Sequence, residues 1–234
     1  MRSERGEIME RVECWLTQHG AQPGQRLPGE RDLCAELGVS RTALRSAIQQ
    51  LAAEGVLTCR ANCGTFVAQP KICRPLQHYV PFKRTVEQAG RVFSTQVLAF
   101  ETAECSKPVA AALHLVIGSP VYRLQRLRSI DGTPFMLDTS YLDPARFPQL
   151  PEHDFARQSL YTVLREEYGA AVRKGSEKLR ITYALPEEAQ QLRIAEGQAL
   201  FYITGLALDA RDVPVEYAKV VVRPEQVRFS SLLT

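Results

Sequence analysis

Apolar residues recur at spacings of three and four in the first 55 positions, and the period then changes to two. Ile8, Val12, Trp15 and Leu16 form a stripe that predicts a helix over 5–19. Leu33 and Leu37, four apart, predict a short second helix ending at Gly38, a residue that tolerates positive φ. Ser40 has N-cap chemistry, because its hydroxyl accepts a helix N–H. Leu44, Ile48 and Leu51 then predict a third helix over 41–54, with Gly55 as its terminator. Residues 56–60 and 64–68 alternate as two short strands around a polar tip. Helix, glycine turn, helix and two-strand wing is the pattern of a winged helix-turn-helix. Arg41, Thr42 and Arg45 stand in the first turns of the third helix, off its apolar stripe, at the end that enters a DNA major groove in such motifs.

The stretch Gln69-Pro-Lys-Ile-Cys-Arg-Pro75 breaks both periods and reads as a semi-stiff connector. The expected division is therefore 1–69, a connector at 70–76, and a second domain over 77–234. In the second part a β-rich run covers 95–101 and a short helix covers 107–115. Strands over 121–130 and 135–142 are joined at Asp131-Gly-Thr-Pro134, a strong hairpin signal. A helix over 159–168 stops at Gly169, a strand covers 178–184, and a helix covers 187–193. A second hairpin pairs 201–208 with 215–223. Strands dominate with helices inserted, so the expected class is α+β, an antiparallel sheet flanked by helices behind a winged helix-turn-helix.

Composition narrows the function. A hydrophobic fraction of 45% supports real cores, and no apolar run is long enough to span a bilayer. The charged, amphipathic N-terminus is not a signal peptide, so a cytoplasmic protein is expected. The net charge of +3 says little by itself. The first 70 residues hold eight arginines and eight acids, so what matters is their placement. The third helix and wing carry Arg41, Arg45 and Arg60 against Glu54 alone, a local basic face able to hold phosphates. The six cysteines show no C-x-x-C pair, and no histidine falls at zinc-finger spacing, so neither metal nor cofactor is expected. Cys14 and Cys34 read as small buried apolar residues. Cys59 and Cys63 flank the wing tip, where a redox switch is the alternative to two plain thiols.

The blocks L-P-G-E-R-D-L, G-V-S-R-T-A-L-R, E-G-V-L and G-T-F-V occur in order within residues 5–68, and this segment closely resembles the DNA-binding domain of the GntR family of bacterial regulators. Arg41 and Arg45 share a helix face, and an arginine fork matches the O6/N7 acceptors of guanine. Ser40 and Thr42 are placed to bond phosphates beside them. The resemblance also implies a DNA contact for Arg31, whose alternative is an ion pair to Glu30 or Asp32. In the wing, Gly64 and Thr65 are expected to bring backbone close to DNA. The tip departs from the family pattern: Ala61-Asn62-Cys63 stands where a cation is usual, so the wing is expected to contribute less electrostatic energy.

The second half resembles the UTRA effector-binding domain of the HutC-type branch, a fold similar to chorismate lyase. The carrying residues are R-L-R-S-I-D-G-T-P-F, L-D-T-S-Y-L, S-L-Y-T-V-L, E-E-A-Q-Q-L and P-V-E-Y. Arg126 and Arg128 alternate on a strand and point to one side, which makes either an anion clamp or a solvated strand face. Ser159 opens a helix, where free N–H groups favour an anion. The resemblance implies a pocket lined by Arg126, Arg128, Asp138, Ser159, Tyr161 and Glu216, with the two acids selecting the polar end of the ligand. Many relatives have Glu at Asp138 and a Tyr at Val222, and Pro81 has no N–H to give where some relatives bind phosphate. The resemblance thus implies a homodimeric repressor of double-stranded operator DNA, answering to a small effector such as a phosphorylated sugar or carboxylate metabolite. An enzyme using the lyase-like fold is the alternative, but no nucleophile elbow or metal-ligand spacing supports it, and no catalytic residue is expected.

Overall fold

The computed structural model describes residues 4–60, 63–75 and 82–231. Ala61 and Asn62 of the wing tip, Leu76 of the expected connector, and Pro81 lie outside the described residues. The chain divides into two units, 1–71 and 72–234.

The first unit contains α1 (Glu4–Gln18), α2 (Glu30–Leu37), α3 (Arg41–Glu54), β1 (Leu57–Arg60) and β2 (Gly64–Val67). Its core is the apolar stripe of each helix: Val12 and Trp15, Leu33, then Leu44, Ile48 and Leu51, closed by Leu27 and Leu57. The turn between α2 and α3 rests on Gly38 in the left-handed region at φ 65°, and on Ser40, whose Oγ accepts the Ala43 N–H at 3.3 Å. Gly55 closes α3 at φ 79°. Of the two cysteines expected to be buried, Cys34 is half-buried against the core. Cys14 is instead exposed. Val12 and Trp15 take the inward direction of α1, and Cys14 is rotated about 100° from Trp15. Residues 25–27 do more than lead into α2. The Leu27 N–H donates to Thr65 O and the Val67 N–H to Gln25 O, both at 2.8 Å, so the connector lies along the outer side of β2.

The second unit contains β3 (Ile72–Pro75), α4 (Phe82–Gln88), β4 (Phe93–Glu104), α5 (Lys107–Leu113), β5 (Pro120–Ile130), β6 (Thr133–Leu142), α6 (Leu160–Tyr168), β7 (Lys174–Tyr183), α7 (Pro186–Leu192), β8 (Ala199–Leu208), β9 (Pro214–Val222) and β10 (Val227–Ser230). An antiparallel six-stranded sheet runs in the order β4-β5-β6-β9-β8-β7. The two expected hairpins are thus joined through β6 and β9. Residues 72–75, read above as connector, instead form a strand parallel to β10, beginning at Ile72 where the second unit starts. The pairing partner lies about 150 residues away in sequence, so no local hairpin signal marks this short strand.

Two apolar clusters cover opposite ends of one sheet face. Leu124 and Leu142 pack with Phe147, Phe155 and the α6 residues Leu160, Val163 and Leu164. At the other end Ile130, Met136, Ile203 and Val222 pack with Ile72, Val86 and Val227 from β3, α4 and β10. Between them the sheet presents polar side chains to a cavity. On the opposite face α7 covers Leu127, Leu137 and Val221, and α5 packs beside Tyr141 and Tyr217. Among the described residues no helix is long and apolar enough to cross a membrane.

The α3 cap gives a direct test of the first unit. Ser40→Ala removes the side-chain acceptor for the Ala43 N–H, and should cost about 1 kcal/mol of stability. Urea unfolding of the chain without DNA measures it.

Candidate functional site

The DNA-facing candidates come together on the first turns of α3. Arg41 and Arg45 keep 72% and 68% of their side-chain surface exposed, and both lean toward Glu30, the first residue of α2. The Arg45 Nε donates to Glu30 at 3.0 Å, and the Arg41 Nε lies 3.9 Å from the same carboxylate. Exposed pairs of this kind hold about 0–1 kcal/mol, so they are exchanged at little cost. Glu30 therefore holds the two forks side by side. Thr42 is exposed beside them. Arg31 is 90% exposed and its Nε is 3.3 Å from Asp32 Oδ1, one of the two ion pairs named as alternatives to DNA contact. The Ser40 hydroxyl accepts from the Ala43 N–H, which leaves its own proton for a phosphate. Gly64 opens β2 at φ 108°, and Thr65 follows it with its carbonyl taken by Leu27. Cys59 lies opposite Thr65 in the ladder, with Sγ 3.8 Å from Thr65 Oγ1.

The effector candidates meet on β5, β6 and β9. Arg126 and Asp138 are direct cross-strand partners. Asp138 Oδ2 accepts from an Arg126 terminal nitrogen at 2.9 Å, from Arg128 Nε at 2.9 Å, and from an Arg128 terminal nitrogen. The same Arg126 nitrogen donates to Ser140 Oγ at 2.9 Å, and Ser140 reaches Asp138 Oδ1 at 3.4 Å. Arg126 is only 5% exposed, which removes the solvated-face reading for it. Arg128 extends further into the cavity, near the Phe93 ring. The arginines are thus not an empty clamp: Asp138 already bridges them. Burial works to raise the Asp138 pKa, but the two guanidinium groups outweigh it and hold the carboxyl below its ordinary range.

Glu216 on β9 lies beside this network and is 3% exposed. Tyr161, in the first turn of α6, donates its hydroxyl to Glu216. Burial, and then the charge of Asp138, raise the Glu216 pKa against hydrogen bonds from Ser140 and Tyr161. Ser159 caps α6 with no side-chain capping bond and is exposed to the cavity. These groups line a cavity of about 1540 Å³, whose walls, among the described residues, carry nine Lys or Arg against four Asp or Glu.

Two participants were missed. Ser140 follows Asp138 on the same strand face, so alternation contained the signal. Arg74 on β3 is 4% exposed, pairs with Glu177 at 2.6 Å and lies 4.8 Å from the Phe82 ring. It was hidden because its segment reads as connector.

Residues 4–67 match the family described as bacterial regulatory proteins, gntR family, and residues 88–228 match the UTRA domain. The chain belongs to the GntR family, in its HutC-type branch with a UTRA effector domain. It is 29% identical over 208 residues to the transcriptional regulator YurK of Bacillus subtilis (strain 168), covering 89% of this chain and 86% of that protein. It is also 29% identical over 209 residues to the probable fructoselysine utilization operon transcriptional repressor of Escherichia coli (strain K12), with the same coverage of 89% and 86%. The crystal structure of PhnF from Mycobacterium smegmatis superimposes with a TM-score of 0.71 at 25% identity, over 96% of this chain and 98% of that one. The regulator is therefore a DNA-binding protein with a ligand-responsive second domain.

The two buried carboxylates give opposite pH signatures. Asp138, with a lowered pKa, contributes stability that is present above its ordinary value of 3.8 and lost as pH falls through its lower folded value. Glu216, with a raised pKa, costs stability as pH rises from its ordinary 4.5 through its folded value. Glu216→Gln should therefore stabilise the ligand-free regulator at neutral pH, with the gain fading as pH approaches 4.5. Urea titrations across that range read the difference; a gain independent of pH would contradict it.

Proposed function

We propose that the chain is a cytoplasmic homodimeric repressor, released from an inverted-repeat operator when a small anion enters the second domain. The observation that carries the ligand class is the excess of cations around a cavity with Ser159, at the start of α6, on its wall. Helix N–H groups and arginine forks act on an anion in the same direction. A phosphorylated sugar or a carboxylate metabolite has the required charge, and Glu216 with Tyr161 offers hydrogen bonds to its polar end. The name of the fructoselysine relative is in keeping with a sugar derivative.

Homodimerisation is supported by β7, an edge strand that exposes Leu179, Ile181 and Tyr183, the last two by 72% and 67%. An apolar edge of this kind invites a covering partner. A two-fold pair of recognition helices then reads two half-sites. A coupling free energy of about 1–3 kcal/mol between effector and operator is enough for regulation.

On a duplex selected from a random-sequence pool by the wild-type chain, Arg41→Ala or Arg45→Ala should each cost about 1–3 kcal/mol, with much smaller loss on unrelated DNA. Competition binding on both duplexes checks this, and equal losses would make these arginines phosphate anchors only.

The effector reading needs variants that spare the fold. Arg126 is unsuitable, because truncating one member of a buried ion pair costs about 3–5 kcal/mol. Arg128→Lys keeps the charge beside Asp138 but removes the fork, and Ser159→Ala removes a hydroxyl outside the Asp138 network, so both leave the Arg126–Asp138 pair in place. Calorimetry with a panel of sugar phosphates and organic acids should find a ligand of the wild type that releases DNA and binds both variants more weakly. An uncharged ligand, or unchanged affinity in both, would overturn the anion reading.

A further inference from the structure

We propose that Arg26, in the connector between α1 and α2, is a DNA-backbone contact of the wing and supplies the cation that the wing tip lacks.

The connector is fixed to the wing by its backbone. Gln25 O and the Leu27 N–H both bond to β2, and Arg26 sits opposite Phe66 in a bridge between them. Arg26 therefore shares a face of the wing with Phe66 and, two residues along, with Gly64. Its side chain runs toward Gly64. A methyl group added at Gly64 would meet Arg26 Nε at 3.0 Å and a terminal nitrogen at 3.3 Å, so the guanidinium rests where glycine leaves room. On the other side, Arg60 is the β1 partner of Gly64 and holds its guanidinium 4.7 Å from the Phe66 ring centroid. Two arginines from different segments thus flank the glycine that opens β2.

Neither charge is compensated. Among the described residues neither Arg26 nor Arg60 forms an ion pair, whereas Arg31, Arg41 and Arg45 each have a carboxylate within 4 Å. The sequence offers no acid nearby: none occurs over 19–29 or over 55–70. Cys63, exposed at the tip, is not a cationic residue. Arg26 is itself exposed, so its charge is free to meet a phosphate when the wing approaches DNA. A cation absent from the tip sequence has been restored from a segment about 40 positions earlier.

The inference rests on DNA binding by the first unit, and the experiment separates the two. The full chain and its Arg26→Gln, Arg26→Ala and Arg26→Lys variants are titrated by fluorescence anisotropy across a KCl series. Two duplexes are used: the pool-selected operator, and a random-sequence duplex of equal length. Arg26→Gln and Arg26→Ala should flatten the slope of log K against log salt by about 0.9 for each arginine removed, on both duplexes alike. Arg26→Lys should keep the wild-type slope, and all variants should melt with the wild type. An unchanged slope in the Gln and Ala variants would overturn the proposal. So would a Lys variant as impaired as the Gln one, which would reduce Arg26 to a packing partner of Gly64. Failure of the wild type to bind either duplex would overturn the DNA-binding reading together with it.

Discussion

The carboxylate of Asp138 holds two arginines at the centre of a sheet face, and the second domain is arranged around that bond. Charges so deeply buried persist only when paired and hydrogen-bonded. Asp138 meets this condition for Arg126 and Arg128 together, and Ser140 occupies a further donor of Arg126. An apolar layer could not close over such a row without stranding it. The two clusters on this face accordingly stop on either side, one built on α6 and the other on α4, β3 and β10. The cavity is the space they leave. Its floor is preorganised, because Asp138 positions both arginines through bonds within the sheet itself.

The arrangement also separates two kinds of acid. Asp138 lies between guanidinium groups and is held ionised, whereas Glu216 takes the repulsion of Asp138 without an equal partner. One carboxylate is held by its pairing with the arginines, and the other is raised in pKa by burial and by the charge of its neighbour. Arg74 adds a third element. It lines the cavity from β3, the third residue of the second unit, and its segment reads as connector in the sequence.

In the first unit the governing constraint is smaller and local. Gly38, Ser40 and Gly55 each stand where the backbone needs either a left-handed residue or a side-chain acceptor, and together they set the turn and length of α3. The arginines then project from a helix whose inward stripe is fully used by the core. Glu30 keeps both forks on one side through exposed pairs that are easily exchanged. The wing depends on non-local pairing as well as its own hairpin, since the 25–27 connector bonds along β2.

Local rules sufficed for much of this. The 3.6-residue stripes, the glycine and serine punctuation and the Asp131-Gly132 hairpin signal act over a few residues, so α1–α3, the wing, β5, β6 and α6 were all legible along the chain. Alternation placed Arg126 and Arg128 on one side, and it also contained Ser140. The resemblance to known regulators supplied Asp138, Tyr161 and Glu216, which no local period singles out. What needed the tertiary structure were pairings between distant segments. β3 was invisible because its order comes from β10, and Arg74 disappeared with it. Cys14 was misplaced because Val12 and Trp15 had already taken the inward face. That Asp138 occupies the arginines, and that Arg26 lies against the wing, depend on strand register across many residues. A sequence states which side of a strand or helix each residue takes, through backbone geometry alone; which side chains then meet is decided by how those elements pack.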